Sequence, residues 1–261
     1  MKLLFIASDP MEFRGLLAHA TAVREAEIAA RWSRSATLGA NEVLLVANGA
    51  GPNRAAAATD AGMKAFDAAA IVSTGFCGAL APEIEIADLV SATSVETKDR
   101  SYATSMWDRH PGLFAGQGHA LPAANGAVIT NRAQARHHHV PRHFSGAIRS
   151  IPYVARTAEQ KRNLAVTGAI AVEMEAAGIA ARAESHGLPL YCIRAVTDLA
   201  GETLANDFNM ALRLDGQFDT ILILKGTLRH PMARLPELFR LRKRCVRAAH
   251  VLGDFFAYSG I

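Results

Sequence analysis

Runs of branched apolar residues alternate with alanine-rich runs along this chain, and that alternation restricts the fold more than any other feature. Continuously apolar strands are typical of a sheet that helices cover on both faces. The predicted strands are residues 3–7, 42–47, 70–74, 88–93, 127–130, 170–172 and 190–196, and the predicted helices are residues 12–20, 54–66, 175–186, 218–228 and 236–256. The pattern therefore indicates an α/β domain.

The composition is that of a globular chain. With 261 residues, of which 50% are hydrophobic and 20% charged, the chain is long enough to bury a sizeable core. Because it shows no internal repeat and no low-complexity linker, we predict one domain over residues 1–261, with a loop-rich insert at residues 100–160. No run approaches the roughly 18 apolar residues of a membrane-spanning helix.

The charge is unevenly distributed. The formal net charge is +4, but eight basic residues lie between Lys225 and Ile261, where the only acidic residues are Glu237 and Asp254. That segment carries +6, which leaves −2 for residues 1–224. The high isoelectric point therefore describes a basic C-terminal segment, residues 225–261, and does not indicate a nucleic-acid-binding protein.

The cysteines indicate a reducing environment. Cys77, Cys192 and Cys245 are odd in number, widely separated and without CxxC spacing, so neither a disulfide framework nor a zinc site is predicted. Cys77 has no base near it in the sequence, and we expect it to be a small packed residue. The expected location of the protein is the cytoplasm.

Polar side chains follow several of the predicted strands directly. Ligands of open α/β sheets bind outside the carboxyl ends of the strands, so these positions are candidates for a site. Glu12, in residues 8–14 after the first strand, is a candidate base. The same segment has a structural alternative, in which Asp9 caps a helix, Pro10 lies in its first turn and Glu12 is favoured there by the helix dipole.

Two glycine-rich segments also follow predicted strands. Residues 48–54 have Arg54 where a dinucleotide-binding fingerprint requires glycine, so we predict a tight strand-to-helix turn rather than a nicotinamide site. In residues 73–80, Gly75 and Gly78 would let backbone amides approach an anion or a hydroxyl group of a ligand.

Three further carboxylates come at the ends of the last predicted strands. Glu173 and Glu175 would point about 200° apart on a helix, so one ligand meets both only if the chain is still extended there. Asp198 closes an apolar run, and a buried carboxyl group has the raised pKa that a general acid needs. The structural alternative for Asp198 is a helix cap.

These segments resemble the nucleoside phosphorylase and nucleosidase superfamily and, within it, the methylthioadenosine/S-adenosylhomocysteine nucleosidases. The resemblance lies in residues 172–177 (VEMEAA) and 193–198 (IRAVTD), with Glu12, the loop at 49–53 and the loop at 75–78 in the family's order. It spans roughly residues 1–225. It implies a three-layer α/β/α fold with a mixed central sheet, a homo-oligomer (dimer or trimer), and neither a metal nor an organic cofactor.

The resemblance also implies roles for individual residues. Asp198 would protonate or hydrogen-bond N7 of a purine, Glu175 would hold the ribose hydroxyls, and Glu12 would activate the attacking water. The implied substrate-binding residues are Glu175, Met174, Glu173, Gly75, Phe76, Gly78 and Tyr153. Carboxylates and a proton donor suit an oxocarbenium-like transition state, so the implied reaction is cleavage of the N-glycosidic bond of an adenine-type nucleoside.

Two alternatives to hydrolysis remain open. Phosphorylases of the superfamily place arginine where this chain has Ser73, and a carboxylate at Glu12 would repel phosphate, so hydrolysis is favoured over phosphorolysis. Against this, Asp9-Pro10 followed by Arg14 resembles the phosphate loop of the phosphorylases. Arg100, Arg132 or Arg156 would be other sources of charge. The second alternative is a nucleoside-binding or membrane-peripheral module without turnover.

The histidine-rich run at residues 136–143 invites comparison with a metal site. Adjacent histidines do not readily share one ion, and no carboxylate or cysteine is interleaved, so we predict a solvated loop.

The basic C-terminal segment has two explanations. Apolar residues recur at helical spacing in residues 236–256, which fits a last helix packed on the sheet. Alternatively, the segment docks on anionic lipid, aided by Leu228, Pro231, Met232, Leu235 and Phe239. A hopanoid-associated, phosphorylase-like branch of the superfamily acts on an adenosylated lipid, and such a segment would suit that branch.

Overall fold

The computed structural model describes residues 1–107, 120–122, 128–130, 141–213 and 215–258. Its strands are β1 (Lys2–Ala7), β2 (Thr21–Glu25), β3 (Trp32–Leu38), β4 (Asn41–Ala47), β5 (Ala70–Ala79), β6 (Leu89–Glu96), β7 (Ser101–Ala103), β8 (Ala120–Pro122), β9 (Val128–Thr130), β10 (His143–Ser150), β11 (Ala171–Glu173) and β12 (Leu190–Asp198). Its α-helices are α1 (Arg14–His19), α2 (Pro52–Ala65), α3 (Ala158–Ala165), α4 (Ala176–His186), α5 (Thr220–Leu228) and α6 (Pro231–Tyr258), and 3₁₀ helices cover Pro10–Phe13 and Asn209–Ala211.

A mixed sheet of ten strands forms the centre of the fold. Its order is β11-β10-β6-β12-β5-β1-β4-β3-β2, with β7 paired to β6. Strand β11 also pairs antiparallel with β5, so β5, β12, β6, β10 and β11 close into a ring. Because β1 runs parallel to β4 and β5, and β12 runs parallel to β5, the carboxyl ends of these four strands lie at one edge.

Helices cover both faces of this sheet. Along β1, Leu3 and Phe5 belong to a buried cluster with residues of α6, whereas Leu4 and Ile6 belong to a cluster with α2 and α4. Successive side chains of a strand point to opposite faces, so alternate residues of β1 contact different helical layers. The predicted three-layer α/β/α fold with a mixed sheet is confirmed.

The turn between β4 and α2 is as tight as the sequence predicts. Gly49 and Gly51 both have positive φ, at 98° and 99°, and Pro52 is the first residue of α2. Glycine adopts this backbone conformation without the steric cost that a Cβ brings, and proline suits the first helical position.

Two predictions about local structure are wrong. Residues 75–78 are not a loop: β5 continues to Ala79, because β12 and β11 extend its hydrogen bonding on both sides. Within the predicted loop-rich insert, residues 143–150 form β10, which pairs with β6 and β11. Its sequence, HFSGAIRS, lacks a continuous apolar run, so its strand character comes from those neighbours.

The basic C-terminal segment is mostly helical, and its two halves differ. In the second half of α6, Ala248, Leu252 and Phe256 are buried against the sheet and α1, as expected for a packed last helix. In the first half of α6, Met232 and Phe239 are exposed. None of the helices within the described ranges is both long enough and apolar enough to cross a membrane.

Candidate active site

The predicted carboxylates lie at or shortly after the carboxyl ends of β1, β11 and β12. Glu12 follows β1, Glu175 follows β11, and Asp198 ends β12. Glu12 and Glu175 are buried, and Asp198 is largely so. The strand pairings bring together side chains that are far apart in the sequence.

Glu12 is held in one orientation by four hydrogen bonds. Its Oε2 accepts from the amide of Ser8 (2.8 Å), the hydroxyl of Ser8 (2.9 Å) and the amide of Asp9 (3.0 Å), and its Oε1 accepts from the amide of Phe76 (2.9 Å). Burial raises the pKa of the Glu12 carboxyl group above its ordinary value, although these bonds and Arg194 oppose the rise. The predicted cap is also present, since Asp9 accepts from the amide of Met11 (2.8 Å).

Gly75 brings the backbone of β5 against this carboxylate. Its φ is +135°, and a Cβ there would collide with the Glu12 carboxylate and approach Arg194. The amide of the next residue, Phe76, then reaches Glu12. The glycine is therefore required by both backbone conformation and space.

Arg194 is the positively charged side chain among Glu12, Glu173 and Glu175, and no role for it was predicted from the sequence. The side chain is 1% exposed and donates from Nη2 to Glu173 Oε2 (2.6 Å) and to Ser73 Oγ (2.8 Å). A charged residue in the middle of the apolar run of β12 was the available signal, because buried arginines are nearly always paired.

Glu173 makes contacts that hold the turn into α4. Besides Arg194, its Oε2 accepts from the amides of Glu175 (2.9 Å) and Ala176 (2.8 Å), which are otherwise free at the start of a helix. Its Oε1 is buried and has no hydrogen-bond partner. Glu173 ends β11 in extended conformation, whereas Glu175 already has αR dihedral angles as the N-cap of α4, so the chain is extended at only one of the two glutamates.

Glu175 lies beside the glycine turn after β4, and Met174 precedes it in the chain. Both are buried, and Glu175 Oε1 accepts from the amide of Gly51 (3.0 Å). Burial, reinforced by the nearby charge of Glu173, raises the pKa of Glu175 to about 8. The cluster of Glu12, Glu173 and Glu175 thus shares one cation, Arg194, which partly offsets their repulsion.

Asp198, at the end of β12, lies against Gly78 of β5, where a Cβ would collide with Asp198 Oδ2. The same oxygen accepts a hydrogen bond from Nζ of Lys161, a fully buried residue of α3 that the sequence analysis did not identify. Burial raises the pKa of Asp198, and Lys161 opposes the rise. No sequence signal marked Lys161, because one lysine on a polar helix is usually solvated.

Of the other two residues discussed from the sequence, Tyr153 is exposed and Cys77 is buried. Tyr153, in the segment after β10, is 41% exposed, and its neighbour Val154 exchanges backbone hydrogen bonds with the side chain of Asn209 (2.7 and 2.9 Å). Cys77 is buried, and burial raises the pKa of its thiol. A protonated, buried thiol fits the predicted packing role.

The site therefore extends along β5. Gly75 contacts the cluster of Glu12 and Arg194, and Gly78 contacts Asp198. Three residues of extended strand span about 10 Å, which is comparable to the length of a purine nucleoside. A buried carboxyl group at Gly78 could donate a proton to a leaving group, and the carboxyl oxygens near Gly75 could accept a proton from an attacking group.

Residues 137–139 of the histidine run lie outside the described residues. Within the described part of the chain, no group of three histidine, cysteine, aspartate or glutamate side chains could hold a metal ion.

The chain is similar in sequence to known nucleosidases. The 5'-methylthioadenosine/S-adenosylhomocysteine nucleosidase of Staphylococcus saprophyticus is 28% identical over 166 residues, covering 61% of this chain and 69% of that protein. The nucleosidase of the same name from Shewanella putrefaciens is 25% identical over 240 residues, covering 86% of this chain and 97% of that protein.

Solved structures share the fold. That of the Helicobacter pylori 5'-methylthioadenosine/S-adenosyl homocysteine nucleosidase has a TM-score of 0.65 at 17% identity, covering 99% of this chain and 97% of the other. That of the Streptococcus pneumoniae nucleosidase with the transition-state inhibitor MT-ImmA has a TM-score of 0.62 at 18% identity, covering 97% and 100%. The family model described as "Phosphorylase superfamily" matches residues 2–217, which is most of this sequence. The chain therefore belongs to the phosphorylase superfamily.

Proposed function

We propose that this protein is a nucleosidase that hydrolyses the N-glycosidic bond of an adenine-type nucleoside and releases the free base and a ribosyl product. The observation that carries the proposal is the placement of Glu12 and Asp198 along one strand, β5, with Glu175 close enough to Arg194 and Glu12 for their charges to interact, despite the separation of these residues in sequence. The similar proteins of Staphylococcus saprophyticus and Shewanella putrefaciens, both named as nucleosidases of adenosine derivatives, support it.

In the proposed reaction, each carboxyl group has one task. Water gives a proton to Glu12 while its oxygen bonds to C1′ of the ribose, and the electrons of the C1′–N9 bond pass to the purine, which takes a proton at N7 from Asp198. Glu175 holds the ribose hydroxyls, and Met174 packs against the sugar. The raised pKa of Asp198, caused by burial, favours the protonated form that an acid needs.

The remaining predicted residues shape the pocket. We propose that Gly75, Phe76 and Gly78 line it as part of β5 and that the exposed ring of Tyr153 stacks on the base. Glu173 acts through Arg194 and the turn into α4, since its Oε2 is already bonded there.

The choice of water over phosphate rests on the charge beside Gly75. The Glu12 carboxylate is the group nearest this point, and the Arg194 guanidinium beside it is already bonded to Glu173 and Ser73. Ser73 stands where phosphorylases have arginine. A carboxylate repels phosphate but accepts a proton from water. Phosphorolysis, of a purine nucleoside or an adenosylated lipid, would instead require phosphate for turnover.

The test is chromatographic detection of the released base from methylthioadenosine, S-adenosylhomocysteine, adenosine, inosine, futalosine and a lipidated adenosine, each with and without phosphate. We expect release of adenine from at least one adenosine derivative in phosphate-free buffer. Phosphate-dependent release would identify a phosphorylase. A rise in melting temperature with adenosine ligands but no base would identify a binding module.

Asp198→Asn tests the acid. We expect kcat to fall by about 10²- to 10⁴-fold while ligand binding is retained, because the amide accepts and donates hydrogen bonds but does not supply the proton. The matched control is Asp99→Asn, in an exposed turn between β6 and β7. Unchanged turnover in Asp198→Asn would refute its assignment.

Three broader features belong to the same proposal. We propose that residues 1–261 form one nucleoside phosphorylase-like domain, because α6 packs on the sheet that carries the site. We propose a cytoplasmic location, which the free thiols of Cys77, Cys192 and Cys245 support. We also propose a homo-oligomer, dimer or trimer, on the resemblance to the family, and light scattering would measure it.

The exposed surface of α5 and the start of α6 supports a contact with anionic lipid. Met232 is 92% exposed, Leu228 66%, Ile221 65% and Phe239 59%. The same segment carries exposed cations at Lys225, Arg229, Arg240, Arg242 and Lys243. A second copy related by a two-fold axis would oppose like charges, whereas an anionic bilayer satisfies both the apolar and the cationic side chains.

Vesicle cosedimentation tests this contact. We expect binding to phosphatidylglycerol vesicles but not to phosphatidylcholine vesicles, with loss at high salt and in Leu228→Glu/Met232→Glu. Val166→Glu, at an exposed apolar residue beyond α3, is the matched control. Absence of salt-sensitive binding, or dimerisation through this surface, would refute the contact.

A further inference from the structure

Lys161 occupies an unusual position for a lysine. It lies on α3, it is fully buried, and its Nζ donates to Asp198 Oδ2 and to the carbonyl oxygen of Leu199 (2.7 Å). Lysine is rarely buried unless it is paired, because an ammonium group loses its hydration there. Both partners lie at the end of β12, so the residue that orders the proposed acid comes from a separate element.

The two carboxyl oxygens of Asp198 have different partners. Oδ2 is held by Lys161 and faces Gly78, whereas Oδ1 has, among the residues that the structure describes, one long hydrogen bond, which it accepts from the Thr197 hydroxyl (3.3 Å). Oδ1 is therefore the oxygen that remains for the purine. A lysine that fixes one carboxyl oxygen also fixes the direction of the other.

Other ionisable groups face Asp198 from the surrounding elements. Cys77 on β5 and Cys245 on α6 are neutral thiols whose pKa values are raised, chiefly by burial. Glu202 follows β12 and pairs with Arg244 of α6 (2.6 Å), and its charge is the smallest of the causes that act on the pKa of Asp198. Lys161 is consequently the cation in direct contact with Asp198 in the described part of the chain.

We propose that Lys161 is a positioning residue for Asp198, orienting Oδ1 toward N7 and stabilising the carboxylate that remains after the proton has moved. This inference rests on the proposed function. The proton leaves Asp198 Oδ1 for N7, the C1′–N9 electrons pass to the purine, and the aspartate gains the negative charge that the Lys161 ammonium offsets. Lys161 keeps its own protons throughout.

The inference has a defined signature in the pH dependence. Removing the ammonium group raises the pKa of Asp198, because its carboxylate loses the adjacent positive charge. In Lys161→Met, which keeps most of the side-chain volume, we expect the alkaline limb of kcat/KM against pH to move upward by at least one pH unit. We expect kcat at the plateau to fall at least tenfold, because the product carboxylate is no longer stabilised.

Three controls separate this role from a structural one. Arg162→Met, at the neighbouring exposed residue of α3, is expected to leave both the limb and kcat unchanged. Lys161→Arg is expected to restore the position of the limb. In Lys161→Ala, ethylammonium is expected to restore activity and ethanol is not, because a cation rather than volume is missing.

A second measurement works without turnover. Carbon-13 NMR of protein labelled at aspartate carboxyl groups, with Asp198→Asn to assign the resonance, reports the titration of Asp198 directly. We expect a higher pKa in Lys161→Met than in the wild type. An unchanged titration would overturn the inference even if the wild type released no base. Base release by the wild type with an unmoved limb in folded Lys161→Met would overturn it while leaving the proposed function intact.

Discussion

The raised pKa of Glu175 makes the stability of the folded protein pH-dependent. Its pKa is raised from 4.5 to about 8, first by burial and then by Glu173. The folded protein therefore binds a proton at Glu175 that the unfolded chain has already lost between these values. Its contribution to stability is complete below about pH 4.5 and is lost as the pH rises toward 8.

We expect Glu175→Gln to lose less stability than the wild type between pH 5 and pH 8. The amide oxygen still accepts from the amide of Gly51, but the side chain has no charge to bury. Urea-unfolding midpoints at pH 5, 6.5 and 8 measure the effect. Glu184→Gln, at an exposed position of the same helix, should follow the wild type, and a Glu175→Gln curve parallel to the wild type would contradict the prediction.

Candidate site residues can be named from the sequence only where they lie close to the end of a predicted strand. Glu12, Glu175 and Asp198 are candidates because the carboxyl ends of strands are where α/β folds bind ligands. Lys161 could not be identified, because its burial depends on how α3 sits against the end of β12. Glu159, Arg162 and Asn163 on the same helix are exposed, so the local sequence resembles an ordinary surface helix.

Strands show the same limit. The apolar runs of β1, β4 and β12 predicted strands that the structure contains, since a strand buried on both faces must be apolar throughout. The glycine-rich end of β5 and the polar β10 were assigned to loops, because local composition indicates turns there. Pairing with neighbouring strands decided both, and no local signal reports that pairing.

The ion pair between Arg194 and Glu173 joins two elements and gives a prediction at that level. It links β12 to the end of β11, and the hydroxyl of Ser73 on β5 accepts a hydrogen bond from the same guanidinium group. Arg194→Met leaves Glu173 buried without its cation, and breaking a buried pair in this way costs about 3–5 kcal/mol of folding free energy.

The double variant Arg194→Met/Glu173→Gln should recover part of that loss. Glutamine removes the uncompensated charge, and its amide oxygen still accepts from the amides of Glu175 and Ala176. Chemical denaturation of the wild type, both single variants and the double variant measures the coupling. A double variant no more stable than Arg194→Met would show that the charge of Glu173 is not the cause.

At the level of the whole molecule, α6 connects the C-terminal part of the chain to its start. Gly253 of α6 is buried, and a Cβ there would collide with the backbone of Gly15 in α1. The helices touch backbone to backbone, so a methyl group at this position has no room without separating them. The α1 helix follows Glu12 directly, which couples this contact to the site.

Gly253→Ala should therefore destabilise the protein although alanine favours helices over glycine by about 1 kcal/mol. We expect a net loss of about 1–3 kcal/mol from overpacking, visible as a lower midpoint of thermal unfolding. Gly226→Ala is the matched control, because a Cβ in α5 would meet only Arg234 Nη1 at 3.8 Å and should be neutral or stabilising. Equal midpoints of thermal unfolding for the two variants would mean that α6 can move away from α1 without loss of stability. The basic C-terminal segment would then not be part of the domain that carries the site.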